Sequence, residues 1–357
     1  MPRDAALNRR ARKADASAAA KAEVLARSDS SAARDVAESL QDAMPKLLLR
    51  ICITSLVLAI AAALAFALSP PGLSDSFPRH REYYDELRTV KYSQSLSQRE
   101  ATAPTVEVVA KYPHDAAAFT QGLVIVHHGR RGKFLIETTG LYGESSLRKV
   151  EIESGRVVEQ YDLPSELFGE GVTLNNAGEL VMLTWRSRKG FVFDLGKPQD
   201  GQGEDKFSLL REFEFATVTG EGWGIDNDGE SLVVSDGSPT LLFWDPETMT
   251  ETRRVVVTLP NNRPVARLNE LEFANGYIYA NVWYQPVILK IDPTTGAVVS
   301  VFDCSQLITD AGADVNSGAV LNGIAYDGEE DMFYITGKQW NALYKVRLLD
   351  STRIDSL

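Results

Sequence analysis

The chain has 357 residues, 37 Lys and Arg against 49 Asp and Glu, and a formal net charge of −12. The acid is concentrated: residues 1–50 hold ten Lys/Arg against seven Asp/Glu, whereas residues 101–357 hold 22 against 37, and an acidic body repels phosphate backbones and argues against nucleic acid as a partner. Two cysteines, Cys52 and Cys304, and four histidines without an HExxH pattern supply neither a disulfide framework nor a His/Cys zinc site.

Residues 1–50, rich in Ala, Ser, Lys, Arg and Asp, read as a polar, disordered cytoplasmic tail. The run Ile51–Leu68 carries no charge over 18 residues and is stopped by Pro70-Pro71. That length just spans a bilayer core, and its start after fifty polar residues points to a signal-anchor helix rather than a cleaved leader. Lys46 and Arg50 on one side face Arg79 and Arg81 on the other, so short-range charge leaves the orientation nearly balanced. The longer basic tail favours an extracytoplasmic body. Residues 69–105 read as a stalk.

From Val106 the texture changes to short β-rich runs separated by Gly, Asp and Asn. Five related starts recur at roughly fifty-residue steps, the signature of a repeat architecture: Phe119-Thr-Gln-Gly-Leu123, Phe168-Gly-Glu-Gly-Val172, Gly220-Glu-Gly-Trp-Gly224, Leu268-Asn-Glu-Leu-Glu272 and Leu321-Asn-Gly-Ile-Ala325. The fourth repeat shows four strands clearly: Leu268–Phe273, Tyr277–Trp283, Val287–Ile291, then the turn Asp292-Pro-Thr-Thr-Gly296 and Ala297–Phe302. Four strands per repeat predicts an all-β, five-bladed propeller over residues 106–348 with a short tail at 349–357. The last repeat has three strands, so Val106–Tyr112 is expected to supply the fourth and close the ring.

Where second strands end, the repeats place Glu137, Trp185, Asp236, Trp283 and Lys338, at intervals of 48, 51, 47 and 55. One face of the ring is expected to present them, with Gln121, Glu170, Glu221, Asn269, Glu270 and Asn322 from the blade starts nearby. Asp236 in Ser235-Asp-Gly-Ser238 also reads as a turn residue, and Trp223 as an inter-blade wedge. Glu137 and Lys338 follow apolar runs, where an unpaired charge is costly; they either pair or perform chemistry.

The motifs Tyr112-Pro-His-Asp115, Phe119-Thr-Gln-Gly-Leu123, Glu137-Thr-Thr-Gly-Leu-Tyr-Gly-Glu-Ser-Ser-Leu-Arg148, Leu183-Thr-Trp185, Gly220-Glu-Gly-Trp-Gly224, Arg267-Leu-Asn-Glu-Leu-Glu272, Ala280-Asn-Val-Trp283, Leu321-Asn-Gly-Ile-Ala325 and Thr336-Gly-Lys-Gln-Trp340 resemble the plant and bacterial glutamine cyclotransferases across the whole body. The resemblance implies closure of N-terminal glutamine to pyroglutamate on peptides and proteins, with no required cofactor. It places the family's acid-base glutamate at Glu137, its lysine at Lys338, its orienting asparagine at Asn269, and its pocket tryptophans at Trp185 and Trp283. Gln121, Trp223 and Asn322 join them as expected substrate contacts, and the bilayer is the partner of residues 51–68. A structural calcium or zinc ion remains compatible with the sequence.

Two other readings stay open at this point. Glu137, Asn269, Asp236 and Asn322 offer the oxygen ligands of a calcium-dependent propeller hydrolase or lactonase, although Lys338 on the same ring opposes a cation. A propeller that binds peptides without turnover has the same fold.

Overall fold

The computed structural model describes residues 104–127, 132–196 and 206–350. The 1–50 tail, the 51–68 run and nearly all of the 69–105 stalk lie outside these residues, as do 351–357 and most of the Gly196–Lys206 insertion. Among the described residues no helix is long and apolar enough to cross a membrane.

The strand β1 (Thr105–Pro113) comes first, followed by a blade of β2 (Thr120–His127), β3 (Lys133–Thr139), β4 (Ser146–Val150) and β5 (Val157–Asp162). Blade two is β6 (Gly169–Leu174), β7 (Leu180–Thr184), β8 (Lys189–Asp194) and β9 (Ser208–Glu214). Blade three is β10 (Ile225–Asn227), β11 (Leu232–Val234), β12 (Thr240–Trp244) and β13 (Glu251–Val256). Blade four is β14 (Leu268–Ala274), β15 (Tyr277–Val282), β16 (Val287–Ile291) and β17 (Val298–Asp303). Blade five has β18 (Leu321–Asp327), β19 (Met332–Gly337) and β20 (Ala342–Leu349), and its outermost strand is β1, antiparallel to β20 from Thr105↔Leu349 to Pro113↔Ala342. Every sheet is a four-stranded antiparallel meander, and the first strand closes the last blade as the strand count required.

Burial follows position within the blade. The second and third strands β7 and β12 are buried at every residue, while the outermost strands β9 and β13 are mostly exposed and carry the charges. Turn chemistry fixes the reversals: Asp292 Oδ1 accepts the backbone N–H groups of Thr294 and Thr295 at 2.8 and 2.9 Å, the local bonding that makes aspartate a turn former.

The apolar core is divided among the gaps between blades. Leu123, Ile125 and Leu135 meet Ala325, Met332 and Tyr334 between blades one and five. Ile136 and Leu147 meet Leu180 and Met182 between blades one and two, and Leu183 and Val192 meet Leu232 and Leu242 between two and three. Val233 and Phe243 meet Leu271 and Leu289, and Ile288 and Phe302 meet Ile324 and Ile335, filling the last two gaps. Near the axis the inner strands approach backbone to backbone. A Cβ on Gly122 would sit 2.5 Å from Val172 N, one on Gly171 2.7 Å from Ile225 N, and one on Gly224 2.2 Å from Asn269 O. Glycine at these positions is a condition of that approach.

One short helix, α1 (Ser305–Ala311), and a 3-10 turn (Val315–Ser317) lie between β17 and β18. They account for the longest interval in the repeat. Seven residues are too few to show a helical period in a sequence.

Candidate functional site

In four of the five blades the residue just before the inner strand accepts, through its carbonyl, a backbone N–H from the residue just past the second strand. The bonds are Gly140 N to Phe119 O (2.8 Å), Trp185 N to Phe168 O (3.0 Å), Trp283 N to Arg267 O (2.9 Å) and Lys338 N to Val320 O (2.9 Å). These bonds define equivalent positions from blade to blade. Trp185, Trp283 and Lys338 occupy the expected place; in blade one it is held by Gly140, three residues past Glu137. Two residues beyond each acceptor stand Gln121, Glu170, Asn269 and Asn322.

Around the axis at this face lies a cavity of about 210 Å³. Its polar wall is Gln121, Glu170, Asn269 and Lys338, and its flat walls are Phe119, Phe168, Trp185, Trp223, Trp283 and Tyr284. The rings brace one another: Phe168 and Trp185 have centroids 5.4 Å apart, and Trp223 and Trp283 meet edge to face at 5.5 Å. Gly318, from the turn after α1, completes the lining. Such a cavity is smaller than the usual drug-sized pocket and suits a single terminal residue.

Glu170 and Lys338 are both buried here. Burial pushes the Glu170 carboxyl well above the usual carboxylate range; the nearby Lys338 opposes the shift and Glu221 adds to it. Gln121 Nε2 donates to Glu170 Oε1 at 3.0 Å. Burial pulls Lys338 down to about 8, against the pull of Glu170. An acid raised and a base lowered in one aromatic cavity is the pattern of groups placed for proton transfer.

Glu137 is placed elsewhere, a correction to the sequence reading. It lies inside β3, away from the cavity lining and buried. Its Oε1 accepts from Thr120 Oγ1 at 2.7 Å and from His114 Nε2 at 2.9 Å, while His114 Nδ1 donates to the Trp340 carbonyl at 2.8 Å. Burial works against both charges, yet the Glu137–His114 attraction and these hydrogen bonds outweigh it: Glu137 is held below, and His114 above, its ordinary value. The charge is paired and neutralised within the wall of blade one.

Asn322 is also off the lining. It is fully buried and donates to the Thr120 carbonyl at 3.0 Å, bracing the strand that carries Gln121. The four oxygen donors of the calcium reading do not converge. Glu137 is paired with His114, and Asp236 accepts Ser238 N at 3.0 Å in its own turn and Thr219 N at 2.8 Å from the loop before β10. Among the described residues no group of three or more His, Cys, Asp or Glu side chains is placed to hold a metal ion.

Sequence reasoning assigned no role to Glu170, although Phe168-Gly-Glu170 repeats Phe119-Thr-Gln121 at the same offset. It also assigned none to Glu221, whose carboxylate accepts the indole N–H of both Trp185 and Trp223.

Comparison with known proteins gives concordant results. The family model described as glutamine cyclotransferase matches residues 86–348. A glutaminyl-peptide cyclotransferase of Arabidopsis thaliana is 38% identical over 245 residues, 68% of this chain and 71% of that protein. The crystal structure of Myxococcus xanthus glutaminyl cyclase superposes with a TM-score of 0.60 at 35% identity, covering 70% of this chain and 99% of that one.

Proposed function

The chain belongs to the glutamine cyclotransferase family, and from that premise we propose a division of labour in which Glu170 moves the proton, Lys338 and Asn269 steady the amide oxygen, and the aromatic walls fold the substrate. The activity is that of a glutaminyl-peptide cyclotransferase, converting N-terminal glutamine to pyroglutamate with release of ammonia. The observation that carries the assignment of roles is the placement of Glu170 and Lys338, with opposed shifts, on one aromatic cavity.

The nucleophile is part of the substrate. Its α-amine attacks its own side-chain amide carbon; a C–N bond forms, the amide C=O becomes a tetrahedral oxyanion, and collapse breaks the bond to the departing nitrogen. The amine loses one proton and the leaving nitrogen gains one. A single carboxylate beside both nitrogens balances the step, and ionised Glu170 takes this role. The Lys338 ammonium and the Asn269 side-chain amide donate to the oxyanion. Planar side chains on facing walls hold the glutamine in the folded shape from which a five-membered ring closes.

The test is incubation of the full chain with a peptide beginning in Gln, measuring ammonia and the loss of the free amine. Equal amounts of each are expected, with no reaction when Gln occupies the second position. Chelator-sensitive ester cleavage without ammonia release would favour the hydrolase, and binding without turnover the scaffold.

The apolar run 51–68 supports a further part of the proposal. It anchors the enzyme as a single-pass membrane protein whose propeller faces the extracytoplasmic side, where secreted peptides beginning with glutamine are met.

A further inference from the structure

Two indoles of the cavity share one hydrogen-bond acceptor. Glu221 stands on the loop between β9 and β10, and its Oε2 accepts Trp185 Nε1 at 2.8 Å and Trp223 Nε1 at 2.9 Å. Its Oε1 accepts Arg186 Nε at 2.8 Å, and that guanidinium lies 3.9 Å from the centroid of the Trp185 ring. One carboxylate thus fixes two rings from different blades, and one of them is capped by the cation it binds.

The loop is built to hold that carboxylate still. Thr217 Oγ1 donates to the Glu221 carbonyl at 2.7 Å, and Glu221 N donates to Thr219 Oγ1 at 3.2 Å. Thr219 is itself held from both ends by Asp236, its N–H at 2.8 Å from Oδ2 and its hydroxyl at 2.9 Å from the carbonyl. Gly222 N donates to the Trp185 carbonyl at 2.9 Å. A Cβ on Gly222 would meet the Thr184 carbonyl at 2.9 Å and the Phe215 ring at 2.7 Å, so the loop lies flush against the end of β7.

We propose that Glu221 is a positioning residue of the cyclisation site: it sets the planes of Trp185 and Trp223 and keeps a fixed negative charge behind the wall that Glu170 faces. This inference rests on the reading of the cavity given above. Hydrogen bonds to an ionised acceptor are shorter and stronger than neutral ones, and each indole has only one donor by which its plane can be fixed. Two charged groups bear on Glu170: Lys338 from blade five lowers it, and Glu221 from the loop before blade three raises it after burial has done most of the lifting. Gln121 and Asn269 complete its surroundings as neutral groups. Glu221 therefore acts on geometry through the indoles and on proton affinity through its charge.

The two actions separate in two variants of the full chain. Glu221→Gln removes the charge, so Glu170 ionises more readily. The acid limb of kcat/KM should move to lower pH, by about half a unit or more for loss of a nearby like charge. Glu221→Asp keeps the charge but withdraws it by one methylene. Its acid limb should stay in place while KM rises several-fold, since the rings lose their anchor. Indole N–H resonances, read without substrate, should shift for Trp185 and Trp223 in both variants, and not for Trp244 and Trp340, which lie outside the cavity. A Glu221→Gln profile superimposed on that of active wild type, or unmoved indole resonances in both variants, would overturn the inference. Wild type that releases no ammonia would overturn the functional reading instead and leave the resonances to decide this one. Should Glu221→Gln fail to fold, the Glu221→Asp resonances and KM decide the positioning role.

Discussion

The Lys338 ammonium rests on the face of Phe119, 4.6 Å from the ring centroid. The last blade's amine is thus seated on the residue that opens the first blade. A cation over an aromatic face is held without consuming its N–H donors, and among the described residues Lys338 Nζ makes no hydrogen bond. Its donors are free for a substrate oxygen.

Replacing that amine tests its role. Lys338→Ala should lower kcat by ~10²-fold, the scale of one lost oxyanion donor, without loss of fold. The ammonium is the form that donates, and it titrates at about 8, so the wild-type rate should fall as pH rises through that value. Steady-state profiles of kcat should show this alkaline limb in wild type and lack it in Lys338→Ala.

Glu170 and Glu137 should separate cleanly. Glu170→Gln should lower kcat by ~10²–10⁴-fold, the usual range for lost acid-base catalysis, with a smaller change in KM. Glu137→Gln should keep most of the turnover and lose stability, by about 3 kcal/mol for one partner removed from a buried pair. Measuring kcat and Tm together on both variants decides the assignment. Glu137→Gln with unaltered Tm and lost turnover would reverse it.

The Glu137–His114 pair should also leave a mark on stability against pH. Glu137 is depressed below its ordinary 4.5, so its contribution is complete above that value and lost as pH falls through the folded value. His114 is raised above its ordinary 6.5, so its contribution is complete below that value and lost as pH rises through the folded value. The pair is therefore worth most between about 4.5 and 6.5. The Tm difference between wild type and Glu137→Gln should be widest in that window and narrow on both sides.

Ring closure can be tested by shortening the chain. One that begins at Ala101 should fold and turn over glutamine. One that begins at Phe119 lacks β1, leaves β20 as an unpaired edge, and should melt far lower or aggregate. Equal melting of the two would refute the closing role of β1.

Much of the fold was legible because propeller blades repeat their own grammar. The turn Asp292–Gly296, the three-strand last repeat and the extra strand at Val106–Tyr112 led to the observed ring within a residue or two at each end. The site was legible only in part. Trp185, Trp223, Trp283, Asn269, Gln121 and Lys338 do line one cavity. Glu137 is charged, follows an apolar run, falls at nearly the right interval, and is where the resemblance sets the family's acid-base glutamate. Spacing could not reveal that β3 continues through Thr139, so that Gly140 takes the equivalent place. A glycine gives no chemical signal there; the matching hydrogen bonds do. Asn322 has the matching strand position but stands one layer back, its amide donating to the Thr120 carbonyl and lying 3.4 Å from Oε1 of Gln121.

The division of the core among blade gaps governs when in its synthesis the enzyme becomes active. Each apolar cluster needs residues from two blades, so no blade is complete while its successor is missing. The outermost pairing waits longest: Glu107 and Arg347, bonded across β1 and β20, are 240 residues apart. Contacts that distant form late, because the intervening chain must be ordered first. The cavity draws its walls from all five blades and its amine from the last, so a growing chain has no partial pocket to work with. A complete cavity therefore requires the last blade, with Lys338, and its closure by β1 against β20.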